Sequence, residues 1–318
     1  MGRTKLIAAP LQGFTEAVWR RMHADVFGGI DEYCLPFARV EKGEVRRRDV
    51  RELTSALDSG LETTAQAIFA DGRELETIVE AVKASGRTRL DLNLGCPFPP
   101  QVRHGRGAGV LRSAEALRQM GECVLRHGEM EFSVKMRLGV DNAGEWHAAM
   151  DVLNELPLRR VTVHPRVATQ QYGGEPDLEE AALVMEACAH PVVYNGDVRT
   201  AADIDRVLAL FPKAAGVMIG RGLLSSPWMA REWLDGEALT AAQRIDGLRR
   251  MHDGILAHYE ETLCGDTQVL MKIKPLWEYL GAGAGRKELK AIKKATKLGA
   301  YRQAAEAALS SIGAGQSS

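Results

Sequence analysis

Residues 90–97, Leu90-Asp-Leu-Asn-Leu-Gly-Cys-Pro97, decide how the chain is read. Leu90, Leu92 and Leu94 alternate with Asp91 and Asn93, the period of a β-strand, and Gly95 and Pro97 end it. The strand closes on an amide, a glycine and a thiol, at the carboxyl end where parallel α/β folds bind their ligands. A basic, glycine-rich stretch follows, His104-Gly-Arg-Gly-Ala-Gly109. Its spacing is not that of a dinucleotide fingerprint, and it reads as a mobile loop. Cys96 is therefore the best single candidate for a chemical group. Most free cysteines are small buried hydrophobes, so position alone leaves both readings open.

Outward from this strand the same unit recurs. Strands are expected at 4–9, 31–39, 63–69, 88–94, 131–137, 159–164, 191–195 and 215–219, with amphipathic segments such as 74–84, 114–126, 146–156 and 201–210 between them. Eight strand–helix units have the size and rhythm of a (β/α)8 barrel, with a doubly wound open sheet as the competitor. The barrel is preferred because polar residues close almost every strand: Gln12, Arg39, Gln66, Asn93, Lys135 with Arg137, His164, Asn195 with Asp197, and Arg221. An open sheet would gather them at one crevice. Past residue 238 only helical patterns remain, at 241–261, 267–280, 286–297 and 300–309, with Gly281–Gly285 as a hinge or turn. The expected organisation is a barrel over 1–238, a helical domain over 239–312 and a disordered tail over 313–318.

Composition narrows the function classes. The 318 residues are 45% hydrophobic and 26% charged, enough for a large core. A formal charge of −1 gives no global pull toward nucleic acid or membrane, so a polyanionic partner needs a local basic patch. The five cysteines, Cys34, Cys96, Cys123, Cys188 and Cys264, are scattered and form no CxxC pair, which argues against a disulfide framework or structural zinc. No metal is expected, and a reducing cytoplasm fits best. No apolar run is long enough to span a membrane, and a monomer is expected.

Three further groups point to an anionic ligand. Gly216-Val-Met-Ile-Gly220-Arg221-Gly222 closes a strand and opens a helix, and Asn195-Gly196-Asp197 ends the strand before it, so two adjacent loops can clasp one phosphate; glycines also serve simply as turn residues. Lys135 and Arg137 are two apart and share a strand face, which is costly in a barrel unless an anionic or electron-rich ligand meets them. His164 and Gln66 sit at strand ends facing the same mouth, where structural roles are equally common.

Taken as a set, these motifs resemble the tRNA-dihydrouridine synthases. The matching pieces are Ala9-Pro10-Leu11-Gln12-Gly13-Phe14-Thr15, Asp91-Leu-Asn93-Leu-Gly95-Cys96-Pro97, Val134-Lys135-Met-Arg137-Leu-Gly139, Val163-His164-Pro-Arg166 with Tyr172-Gly173, Asn195-Gly196-Asp197 and Val217-Met-Ile-Gly220-Arg221-Gly222. The resemblance implies an FMN-binding barrel followed by a tRNA-gripping helical domain. It implies that Pro10, Leu11, Gln66, Lys135 and His164 hold the flavin ring and ribityl chain, and that Asn195, Gly196, Asp197, Gly220 and Arg221 hold its phosphate end. Asn93, Arg137 and Tyr172 would position a flipped-out uracil, Cys96 would be the general acid, and NAD(P)H would supply the electrons. The chain departs from the family pattern at Leu11, where Met is frequent, at His164-Pro-Arg166, where His-Gly-Arg is usual, and at Phe98-Pro-Pro100, where polar residues are common. The basic residues Arg286, Lys287, Lys290, Lys293, Lys294, Lys297 and Arg302, with Lys272 and Lys274, suggest an RNA-facing surface on charge alone. Two other readings compete: a flavin-dependent reductase of a free small molecule, and a non-catalytic RNA-binding barrel.

Overall fold

The computed structural model describes residues 3–315. Its strands are β1 (Lys5–Ala8), β2 (Glu32–Cys34), β3 (Ala38–Glu41), β4 (Glu44–Val45), β5 (Thr63–Ile68), β6 (Arg89–Leu94), β7 (Glu131–Gly139), β8 (Leu158–Val167), β9 (Val192–Tyr194) and β10 (Gly216–Ile219). The helices through the barrel region are α1 (Ala17–Val26), α2 (Arg47–Leu53), α3 (Gly72–Ala84), α4 (Pro99–Arg103), α5 (Ala114–Arg126), α6 (Trp146–Asn154), α7 (Leu178–Ala187), α8 (Ala201–Leu210), α9 (Arg221–Ser225) and α10 (Met229–Asp235). Parallel pairing runs from β5 through β6, β7, β8, β9 and β10 to β1, and β2 joins β1 to β5 and closes the ring. The barrel expectation holds.

The second strand differs from its expected single run over 31–39. It breaks after Cys34, where Pro36 has no N–H to donate, and resumes as β3, which pairs with β5 and turns through Lys42-Gly43 into β4. Both turn residues have positive φ, 54° and 85°, as a two-residue hairpin of this hand requires. The stretch after Cys96 is also not the mobile loop the glycines suggest. It forms α4 and a 3-10 turn over Gly107–Arg112 that buries Ala108, Val110 and Leu111.

The alternation that marks β6 acquires a direction in the barrel. Leu90, Leu92 and Leu94 belong to the core that packs against α3, α5 and α6, whereas Asp91 and Asn93 lie on the other face. In register with them, Gln66, Asp91 and Ser133 form one layer, and Asn93, Lys135 and Thr162 the next. These layers are polar instead of the branched aliphatics that commonly fill such barrels. At the opposite end Glu32 accepts hydrogen bonds from Thr64 (2.7 Å), Arg159 (2.8 Å) and Arg160 (2.8 Å). Burial works to raise the Glu32 carboxyl, but the two guanidiniums outweigh it and bring its pKa down to about 2.

The remaining chain is helical: α11 (Ala241–Thr262), α12 (Gly265–Ile273), α13 (Trp277–Leu280), α14 (Arg286–Lys294) and α15 (Leu298–Gly315). The expected helix over 267–280 is interrupted at Pro275 by a 3-10 turn. The last helix runs on to Gly315, through the first residues of the expected disordered tail, and 316–318 lie outside the described residues. Gly247 and Gly254, seven apart and so on one face of α11, let it press against Phe27 and Met22 of the α1 region. One apolar core therefore runs from Val18 and Trp19 of α1 through Leu248, Met251 and Ile255 of α11 to Tyr301 and Leu309 of α15. The expected division after residue 238 falls in the connection between α10 and α11, yet the two parts share this core.

Candidate active site

The carboxyl ends of the barrel strands surround a cavity of about 300 Å³. Pro10 and Leu11 enter it just past β1, Asn93 and Cys96 from β6 and the turn after it, and Lys135 and Arg137 from β7. His164 comes from β8, Tyr172 from the loop that follows, Asn195, Gly196 and Asp197 from the end of β9, and Gly220 and Arg221 from the end of β10. Gln66 is the exception among the expected site residues. It is not part of the wall but buried behind it, donating to Asp91 (2.8 Å) and accepting from the Asn93 amide (2.8 Å).

Cys96 is held by its backbone. Asn93 Oδ1 accepts the N–H groups of Gly95 (3.1 Å) and Cys96 (2.8 Å), and the Cys96 carbonyl accepts the N–H of Ala108 (3.2 Å). Gly107 lies in the left-handed region, φ 59°, and a Cβ there would fall 2.7 Å from Cys96 Cβ. The thiol is half-buried in the cavity wall, not packed in an apolar interior. Burial pushes its pKa up, against the opposing pull of the Phe98 backbone, Lys135 and Arg137, so the sulfur keeps its proton at neutral pH.

The wall is cationic. Lys135, Arg137, Arg199 and Arg221 all line it, with Asp197 as the counter-charge. Burial, then repulsion from Arg137, pushes Lys135 down to about 8, and it has no ion-pair partner among the described residues. Arg137 donates to the Val167 carbonyl (3.0 Å), and burial brings it down to about 10. Arg221 stacks over the Tyr172 ring at 4.1 Å, with Arg137 at 5.5 Å. Asp197, at φ 43°, accepts from Arg166 (3.2 Å) and Arg221 (3.1 Å). Burial, reinforced by Arg137, Lys135, Arg166 and Arg221, holds the His164 imidazole neutral, and its Nδ1 is buried without a partner. An unmatched nitrogen beside unneutralised cations is the pattern of a site built for a polar, anionic ligand.

Sequence reasoning missed several wall residues. Arg199 stands two residues beyond Asp197 and carries the same signal of charge at a strand end. Phe14 and Tyr279 meet edge to face at 5.0 Å across the cavity rim, and Tyr279 arrives from α13 in the helical segment, a pairing no local pattern announces. Away from the cavity the fold also gathers Glu76, Cys123 and His127, whose ligand atoms lie within 4.8 Å of one another. Glu76 there accepts from His127 and Arg126, so the group is already satisfied by hydrogen bonds and an ion pair.

The dihydrouridine synthase (Dus) family model matches residues 6–312. The chain belongs to the dihydrouridine synthase family. Among curated relatives, the "Probable tRNA-dihydrouridine synthase" of Rhodobacter capsulatus is 31% identical over 268 residues, 81% of this chain and 79% of its own length. The tRNA-dihydrouridine(16) synthase of Cupriavidus necator is 30% identical over 274 residues, 81% and 84% of the two chains. A solved variant of NCR from Zymomonas mobilis, 15% identical, superposes with TM-score 0.51 over 74% of this chain and 88% of its own, which shows the shared fold. This dihydrouridine synthase is thus an oxidoreductase by family, and the family match extends through the barrel and the helices beyond it. Among the described residues no helix is long and apolar enough to cross a membrane.

Proposed function

We propose that this dihydrouridine synthase reduces the 5,6 double bond of specific uridines in tRNA, using FMN and electrons from NAD(P)H. The observation that carries the reading is the juxtaposition of a protonated thiol, Cys96, with the Lys135 and Arg137 cations in one cavity. The unpartnered His164 Nδ1 and the unpaired Lys135 ammonium fit the polar edge of a flavin ring. Asn195, Gly196, Asp197, Gly220 and Arg221 fit its phosphate end, where Gly222 allows the Val198 carbonyl to approach α9 closely. Pro10 and Leu11 would flank the ring. Gln66, buried behind Asn93, supports that wall from inside.

Bound and reduced, the flavin supplies a hydride to carbon 6 of the uracil ring. Cys96 Sγ delivers the proton to carbon 5, and the thiolate left behind is reprotonated from solvent. Arg137 faces the oxygen on which negative charge develops, and its burial strengthens that interaction. Tyr172 and Arg137 hold the pyrimidine, and Asn93 contributes the amide hydrogen that Gln66 does not take. A stacked base cannot reach the mouth of a barrel, so the nucleotide leaves its stack at a cost of a few kcal/mol.

The purified protein is expected to be yellow and to release FMN on denaturation. Cys96→Ala should keep the flavin and lose at least a hundredfold in dihydrouridine formation, measured by mass mapping of tRNA. A colourless protein that takes up no FMN, or full activity in Cys96→Ala, overturns the reading.

A further inference from the structure

Behind the thiol, four polar side chains and two backbone amides form a chain of hydrogen bonds with a fixed direction. Asp91, fully buried, accepts from Ser133 Oγ (2.7 Å) and from Gln66 Nε2 (2.8 Å). Gln66 Oε1 accepts from Asn93 Nδ2 (2.8 Å), and Asn93 Oδ1 accepts the N–H groups of Gly95 and Cys96. The backbone N–H groups can only donate, and both Asp91 oxygens accept here, although burial pushes the Asp91 pKa up. Both ends therefore impose the same orientation on the two amides between them, and neither Gln66 nor Asn93 can turn over without placing donor against donor or acceptor against acceptor.

We propose that Asp91 and Gln66 are positioning residues for Cys96: the carboxylate in the barrel interior sets the orientation of Gln66, which sets that of Asn93, which pins the turn carrying the thiol. The barrel makes this possible because Gln66, Asp91 and Ser133 are register neighbours on adjacent strands, so the chain starts from three rigid elements and ends on one turn. Without the anchor, Asn93 is free to turn over and withdraw its oxygen from the Gly95 and Cys96 amides, leaving the Ala108 contact and the Phe98 backbone bond to the thiol to hold the turn.

The proposal rests on Cys96 as the proton donor, and its test separates the two. Asn93→Asp keeps an acceptor for the turn but gives Gln66 a carboxylate on each side, so one carboxylate must face the Gln66 carbonyl oxygen. Adding Asp91→Asn reverses the direction at Gln66 and lets every bond form again with the original total charge. In flavin-loaded full-length protein, Asn93→Asp should lower dihydrouridine formation at least tenfold and shift the rate of Cys96 alkylation by iodoacetamide at least threefold. The double variant should bring the alkylation rate back to within threefold of wild type, while dihydrouridine formation stays low because the new carboxylate lacks the amide hydrogen that Asn93 offers the pyrimidine. A double variant whose alkylation rate is no nearer wild type than that of Asn93→Asp, or a single variant that alkylates like wild type, overturns the proposal. Should Asn93→Asp fail to fold, Gln66→Leu removes the middle link without adding charge, and an unchanged alkylation rate there overturns it equally. The alkylation readout does not need turnover, so it judges the hydrogen-bond chain even if Cys96→Ala proves active.

Discussion

Lys135 shows what one buried charge does for a binding site. Burial and Arg137 push its pKa to about 8, so the free protein holds an ammonium at a cost that an anionic ligand removes. Ligand binding favours the protonated form, so the sign follows: affinity is full below about pH 8 and falls as pH rises through that value. We expect FMN affinity, measured by fluorescence titration, to drop by up to about tenfold per pH unit there, the limit for one linked proton. Lys135→Met should bind more weakly and lose that slope. The charge on Lys135 was legible because two cations on one strand face need a reason. The bonds Gln66 makes to Asp91 and Asn93 were not legible, because a strand-end amide reads the same whether it meets a ligand or a neighbour.

At the scale of elements, the turn after β6 depends on one residue without a side chain. Gly107 combines a positive φ with a closest approach to Cys96 that leaves no room for Cβ, so Gly107→Ala must move the thiol. The left-handed conformation alone costs an alanine roughly 1–2 kcal/mol. We expect Gly107→Ala to lose about that much stability in denaturant titration, to keep its flavin, and to lose at least tenfold in dihydrouridine formation. The strands were readable because barrel strands alternate or run apolar between glycine and proline stops. The split of the second strand at Pro36, the β3–β4 hairpin and the order in residues 99–112 were not. Each depends on partners far along the chain, such as β5 for β3 and the Cys96 turn for the 3-10 segment.

Across the whole molecule, the proposed function gives the helical segment two jobs, one of packing and one of charge. Arg286, Lys287, Lys290, Lys293, Lys294 and Lys297 are exposed on or beside α14 and make no ion pairs among the described residues, as an RNA-facing surface requires. The other expected contributors are engaged elsewhere: Arg302 with Glu260, Lys272 with Glu16, and Lys274 with the Lys293 and Ala295 carbonyls. Replacing Lys290, Lys293 and Lys294 with Glu should weaken tRNA binding and reduce the slope of log affinity against log salt by about 2–3, measured by filter binding. Deleting the segment would be a poorer experiment, because it strips the core shared by α1 and α11.

Tyr279 joins those two jobs. A residue of the last quarter of the chain forms part of the cavity rim, through which the base would enter on the proposed function, braced against Phe14 from the start of the chain. Exchanging C-terminal segments between relatives therefore also rebuilds the doorway to the chemistry. A chimera designed to redirect such an enzyme to another uridine must keep the Phe14–Tyr279 pair matched, or it will inherit a new address with an ill-fitting entrance.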